Sequence, residues 1–203
     1  MKLKGITTIA LFLVSMLLCT ATAQNAQTIL ANTIANYQRS NSASANYSVL
    51  SSQGRSSGSI IMKGNKFRII SNGLKCWYNG KTQWSYSPAT GEVNVSTPTA
   101  DELAMSNPYS VANSLRTNYN ATLVSSGSMY LLKLTPKRKT NISNILVSIT
   151  KGYQIQRAVF TMRDKSKYTT TISSYRAGGK YADGTFNYNS KLVPRGTQVV
   201  DLR

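Results

Sequence analysis

From residue 41 onward the chain runs in short stretches of alternating apolar and polar positions, split by turn residues. Ala45, Tyr47 and Val49 alternate with Asn46 and Ser48, the pattern of a strand with one mostly buried face. Residues 53–58, QGRSSG, read as a flexible hydrophilic connection. Strands are predicted at 58–63 and 66–71, with Gly64-Asn65 between them and Asn72-Gly73 as a further turn. The meander is organised around residues 74–95, LKCWYNGKTQWSYSPATGEVNV. Asn79-Gly80 tolerates positive φ at both central positions of a tight hairpin, and Pro88-Ala89-Thr90-Gly91 marks the next turn. Trp77, Trp84 and Tyr86 pave these strands.

The period changes in three places. Over 24–40, Ile29, Ile34 and Tyr37 fall near one helical face with Ala26 and Ala31, predicting an amphipathic helix of about three turns. After Val95, residues 100–106 read as a short helix capped by Thr97 or Thr99, with Asp101 and Glu102 in its first turn, where they favour the helix dipole. Asn107-Pro108 interrupts it, and 109–116 form a second short piece with Tyr109, Ala112 and Leu115 on one side. These pieces are either a simple crossover or a movable cover over an open interior. Strands then resume at 119–125, 129–135, 144–153, 154–163, 165–175, around 185–188 and at 197–202.

Ten or eleven strands with three helical pieces give a mainly β fold with short helices, of α+β class. A sheet this long curls as its twist accumulates. Its concave apolar face must then be filled by side chains, covered by helices or occupied by a ligand.

The amino terminus adds a destination. Met1-Lys2-Leu3-Lys4 precedes an apolar run from Ile9 to Leu18 and the small residues Ala21-Thr22-Ala23, the layout of a secretory signal peptide cleaved after Ala23. Residues 24–203 are then one exported domain, large enough for a sizeable core. Cys19 leaves with the signal, so Cys76 has no partner for a disulfide and reads as a small buried hydrophobe. The net charge of +18 falls to about +16 with loss of Lys2 and Lys4. Such a chain favours anionic surfaces. Export points to acidic lipid head groups or polysaccharide rather than nucleic acid. Lys137, Arg138 and Lys139 form the one compact basic cluster and are a candidate docking patch.

Catalytic chemistry finds little support. The chain has no histidine, so an imidazole base or metal ligand is excluded, and zinc would be left with Cys76 and scattered acids. Asp101 and Glu102 are adjacent and point to different sides of a helix, unlike a glycosidase pair. The reading is of a non-enzyme without a cofactor or metal.

The order of short motifs resembles the periplasmic lipoprotein carriers of the LolA type. It runs from the amino-terminal helix through Lys66-Phe67-Arg68, then residues 79–88, NGKTQWSYSP, where the family writes Asp-Gly-Lys-x-x-Trp-x-Tyr-x-Pro. It continues through Leu132 to Lys137, through Asp164, and through residues 185–201, FNYNSKLVPRGTQVVD within them. The resemblance implies an unclosed antiparallel β-barrel covered by a helical lid, as in LolA and LolB. It implies a periplasmic carrier that binds the acyl chains of lipoproteins in a hydrophobic cavity and transfers them toward the outer membrane. Implied partners are the acylated cargo, an inner-membrane release complex and an outer-membrane acceptor, met by a monomer in transient contact with the membrane surface. Candidate acyl contacts are Leu103, Met105, Val111 and Leu115 from the lid and Trp77, Trp84 and Tyr86 from the sheet. Where the family often carries an Arg-Pro lid latch, this chain has Lys63-Gly64, so Lys63 and Arg68 are candidate lid contacts. Two alternatives stand beside the carrier: a binding module for another apolar ligand, such as a lipid or glycolipid, and a non-transport structural envelope protein.

Overall fold

The computed structural model describes residues 25–99, 102–103 and 108–203. Residues 1–23, read from the sequence as a signal peptide and including Cys19, lie outside these residues, as do Asp101, Met105 and the side chain of Val111. Helix α1 spans 25–39. Six strands follow: β1 (Ser42–Ser51), β2 (Gly54–Lys63), β3 (Lys66–Ser71), β4 (Lys75–Tyr78), β5 (Gln83–Ser87) and β6 (Glu92–Ser96). Helix α2 (Pro108–Asn118) leads into β7 (Tyr119–Ser125), β8 (Met129–Pro136), β9 (Ile142–Thr150), β10 (Ile155–Met162) and β11 (Lys167–Ala177). A strap then carries two single-turn 3-10 segments, Asp183–Phe186 and Ser190–Leu192, to the last strand β12 (Gln198–Asp201).

All twelve described strands belong to one sheet, ordered β12-β6-β5-β4-β3-β2-β1-β11-β10-β9-β8-β7. Every ladder is antiparallel except β12 against β6, which is parallel. The sheet therefore keeps two edges, β12 and β7, and is open rather than a closed barrel. Both halves are meanders, joined by β1 lying against β11 with Tyr47 opposite Ile172.

Two sequence expectations change. The serine-rich segment 53–58 is part of β2, which pairs with β1 residue by residue out to Ser51 opposite Gly54. Backbone pairing along a ten-residue hairpin outweighs the polar composition. Gly58 is required within it, because a Cβ there would stand 2.5 Å from the Ile70 carbonyl oxygen. The expected strand around 185–188 is instead strap, since the 3-10 turn at Asp183–Phe186 drives the Phe186 ring into full burial.

Residues opposite one another across a ladder share a face, so the register sorts every side chain. One face, the helix side, carries Ala121, Leu132, Leu134, Ile145, Val147 and Ile149 beneath α1. Ala26, Ile29 and Ile34 of the predicted α1 stripe pack on those strands, joined by Leu30 in place of Ala31. Thr33 is buried in the same stripe and is satisfied by donating its hydroxyl to the Ile29 carbonyl at 2.8 Å. Truncating a fully buried member such as Leu30 to alanine costs about 2–5 kcal/mol.

The far side is different. There Ile70, Trp77, Trp84, Tyr86 and Val93 lie under Tyr188, Leu192 and Val193 of the strap. The strap is tied down by Lys63, whose Nζ donates to the Tyr181 carbonyl and pairs with Asp183, and by Asn79, whose Nδ2 donates to Asn187 Oδ1 at 3.0 Å.

Candidate functional site

The helix side holds two separate apolar clusters. One joins α1 to β7, β8 and β9 and takes Ala112 and Leu115 of α2 onto its flank. The other joins Ala43, Met62, Phe67, Cys76 and Tyr78 of β1 to β4 and takes Ile60, Ile69, Tyr175 and Leu103 onto its flank. Between them run the middle strands β1 and β11. Their central helix-side residues, Ala45, Tyr47, Val49, Thr170 and Ile172, are half-buried and belong to neither cluster. The result is a largely apolar strip across the centre of the sheet, walled on one side by the α1 cluster and on the other by the cluster that Leu103 flanks.

Local chemistry fixes those walls. Thr99 and Glu102 form a reciprocal cap: Glu102 Oε2 accepts from the Thr99 amide at 2.7 Å and its hydroxyl at 3.0 Å, while the Glu102 amide donates to Thr99 Oγ1 at 3.3 Å. These bonds hold the Glu102 carboxyl below its usual range. Of the two caps left open by the sequence, Thr99 is the one used. Helix α1 is anchored through Tyr37, whose hydroxyl accepts the Ile155 amide at 3.0 Å and whose ring meets Tyr175 edge-on at 5.0 Å. Burial pushes the Tyr37 phenol up to about 12. Gln38 reaches Asn113 at 3.2 Å and so couples α1 to α2.

The sequence-predicted residues divide between the faces. Leu103 and Leu115 are on the helix side, one in each cluster. Trp77, Trp84 and Tyr86 are on the far side, where Trp77 stands opposite Trp84 across β4 and β5, and Tyr86 opposite Val93 across β5 and β6. Trp77 is 0% exposed and packs on Tyr188 of the strap. The structure therefore does not bring the sheet aromatics together with the lid residues. Lys63 and Arg68 are also on the far side and face the strap: Lys63 binds Tyr181 and Asp183, and burial lowers the Arg68 guanidinium while Tyr181 beside it pulls the other way. Lys137 closes the end of α2, its Nζ donating to the Thr117 carbonyl at 2.7 Å, and Arg138 and Lys139 stay exposed.

Sequence reasoning did not single out Tyr47, Val49, Ile60, Ile69 or Ile172. The signal was present in the alternation of Ala45, Tyr47 and Val49, which marks a buried face without saying what buries it. Cys76 joins the Leu103 cluster, and burial pushes its thiol up, partly offset by the Ser85 hydroxyl 3.5 Å away. A separate hollow of about 670 Å³ opens on the far side against Asn46, Ser48, Ser59, Thr171, Ser173 and Lys75. Its lining mixes these hydroxyl, amide and ammonium groups with Ile70, Gly58 and Tyr47.

The family described as outer membrane lipoprotein carrier protein LolA matches residues 17–179. No curated protein is similar enough in sequence to match. Among solved structures, an uncharacterized conserved protein from Thermus thermophilus superimposes with a TM-score of 0.59 at 15% identity, covering 87% of this chain and 99% of that one. A putative outer membrane lipoprotein-sorting protein domain from Vibrio parahaemolyticus gives 0.46 at 12% identity, covering 81% and 97%. A LolA superfamily protein from Nitrosomonas europaea gives 0.41 at 13% identity, covering 80% and 97%. The Thermus likeness is one of fold.

Proposed function

Because the chain belongs to the LolA family of outer membrane lipoprotein carriers, we propose that it is a periplasmic carrier holding lipoprotein acyl chains against the helix side of its sheet. It is an envelope protein of the LolA superfamily, and as a carrier-family member it is not an enzyme. In this reading the signal peptide is removed after Ala23 and residues 24–203 act as one domain.

The observation that carries the proposal is the apolar strip of Ala45, Tyr47, Val49 and Ile172 between the two clusters. An acyl chain laid along it removes methylenes from water at about 0.8 kcal/mol each. Leu103 and Leu115 sit on opposite banks, so cargo contact with both spans the strip. Met105 and Val111 belong to the same lid by sequence. Release then requires the cargo to part from Leu103, which rests on the flank of its cluster.

The test mixes the purified protein with membranes bearing a triacylated lipoprotein and asks for a soluble one-to-one complex. A complex that requires the acyl chains is the expected result. No complex, or an equal one with the acyl-free polypeptide, overturns the proposal. Co-purification of a free lipid without lipoprotein extraction would assign the strip to another apolar ligand.

A further inference from the structure

The ladders bring three connections to the same end of the sheet on adjacent strands. They are the β1–β2 turn, the β10–β11 turn and the β8–β9 loop. Leu50 stands opposite both Arg55 and Thr169, Thr161 opposite Lys167, and Met162 opposite Ile142. Arg163 fastens two of the connections together, its amide donating to the Asn141 carbonyl at 2.8 Å and its Nε to the Thr140 carbonyl at 2.6 Å. This end therefore gathers Arg55, Lys137, Arg138, Lys139, Arg163, Lys165 and Lys167, all exposed. Asp164 is the acid among these connections, and it is turned onto Ser166, accepting from its amide at 2.9 Å and its hydroxyl at 2.6 Å.

Two large apolar side chains share the same tip. Leu50 is 47% exposed and Tyr168 39% exposed, on neighbouring strands and one register step apart. They point to opposite faces of the sheet, so together they flank its rim. Exposed apolar side chains set among exposed cations match an anionic lipid surface, where charges meet phosphates and the apolar groups enter the acyl boundary. An acidic protein surface would satisfy the cations but leave Leu50 and Tyr168 without an apolar environment.

We propose that this end of the sheet docks the protein on anionic phospholipid head groups, through those seven cations with Leu50 and Tyr168 inserted. The docking extends the basic cluster at Lys137-Arg138-Lys139 to two further connections. It does not depend on what the helix side carries, so an empty carrier docks as well.

The experiment is sedimentation of the purified protein with vesicles of phosphatidylglycerol and phosphatidylethanolamine, against phosphatidylcholine vesicles. Binding is expected to the anionic vesicles alone and to weaken with salt. Reversing three charges, Arg163→Glu, Lys165→Glu and Lys167→Glu, lowers the affinity by on the order of a hundredfold or more. The same reversal at the opposite end, Arg39→Glu, Lys81→Glu and Lys180→Glu, has a much smaller effect. Leu50→Ser with Tyr168→Ser weakens binding at unchanged charge. Circular dichroism melts confirm that each variant is folded. Three results overturn the proposal: no binding to anionic vesicles, equal losses from the two ends, or binding to soluble polyglutamate but not to the vesicles.

Discussion

The rings of Trp77 and Tyr188 meet edge to face with centroids 5.6 Å apart, which seats Trp77 beneath the carboxy-terminal strap. Its neighbour Cys76 points the other way, into the cluster flanked by Leu103. Truncating a fully buried tryptophan costs about 3–5 kcal/mol. Trp77→Ala is therefore expected to destabilise by that much in a urea melt, yet to leave lipoprotein extraction intact at temperatures where it is folded. Leu103→Asp is expected to do the reverse. Extraction lost in proportion to stability in both variants would contradict this division.

Cys76 reports on Leu103, which packs against the same cluster. Its thiol is buried and its ionisation is suppressed, so labelling by a thiol reagent is expected to be slow in the folded protein. Leu103→Ala removes part of the cover and is expected to speed modification at Cys76 while leaving the melting temperature almost unchanged. Peptide mapping after timed labelling checks this. Unchanged labelling would mean that Leu103 does not limit access.

Asp183 binds Lys63 at 3.0 Å and Lys66 at 3.1 Å, and hydrogen bonds and charge from these lysines hold its carboxyl below the usual value of 3.8. A carboxylate whose folded pKa is depressed binds protons less readily when folded. Its stabilisation is thus fully present above the ordinary value and is lost as pH falls through the depressed one. The melting-temperature difference between the native protein and Asp183→Asn is expected to be constant near neutral pH and to vanish in strong acid. A difference that grows on acidification would contradict the assignment.

Tyr37 behaves oppositely. Burial raises its phenol from 10.0 to about 12, so it favours the folded state below the lower value and loses that contribution as pH rises through the upper one. Burial also raises the phenols of Tyr78, Tyr119 and Tyr175, so the phenolate absorbance lost in Tyr37→Phe is expected to be the component that appears only at about pH 12 or when the chain unfolds. Tyr37→Phe leaves the Ile155 amide without its acceptor and is expected to destabilise by about 1–3 kcal/mol.

Much of the fold was legible because its strands are joined by local turns. Asn79-Gly80 does mark a hairpin, but one position off the expected register: Gly80 at φ +99° and Lys81 are its central pair, while Asn79 stands opposite Thr82 and its Oδ1 accepts from the Lys81 and Thr82 amides. The parallel pairing of β12 with β6 was not legible, since contacts between segments so far apart leave no periodic trace. Nor was the facing of Trp77. In β4, Cys76, Trp77 and Tyr78 are all buried because helix-side packing covers one face and the strap covers the other. Alternation disappears when both faces are covered, and only the register restores it.

The most direct measurement is photocrosslinking from the cargo. A triacylated lipoprotein carrying a photoreactive group near the end of one acyl chain is mixed with the protein, irradiated, and the attachment sites are mapped. Crosslinks at Tyr47, Val49, Ile172 or Leu103 are the expected result. Crosslinks confined to Trp84, Tyr86 and the strap, or none above an unacylated control, would contradict acyl binding on the helix side.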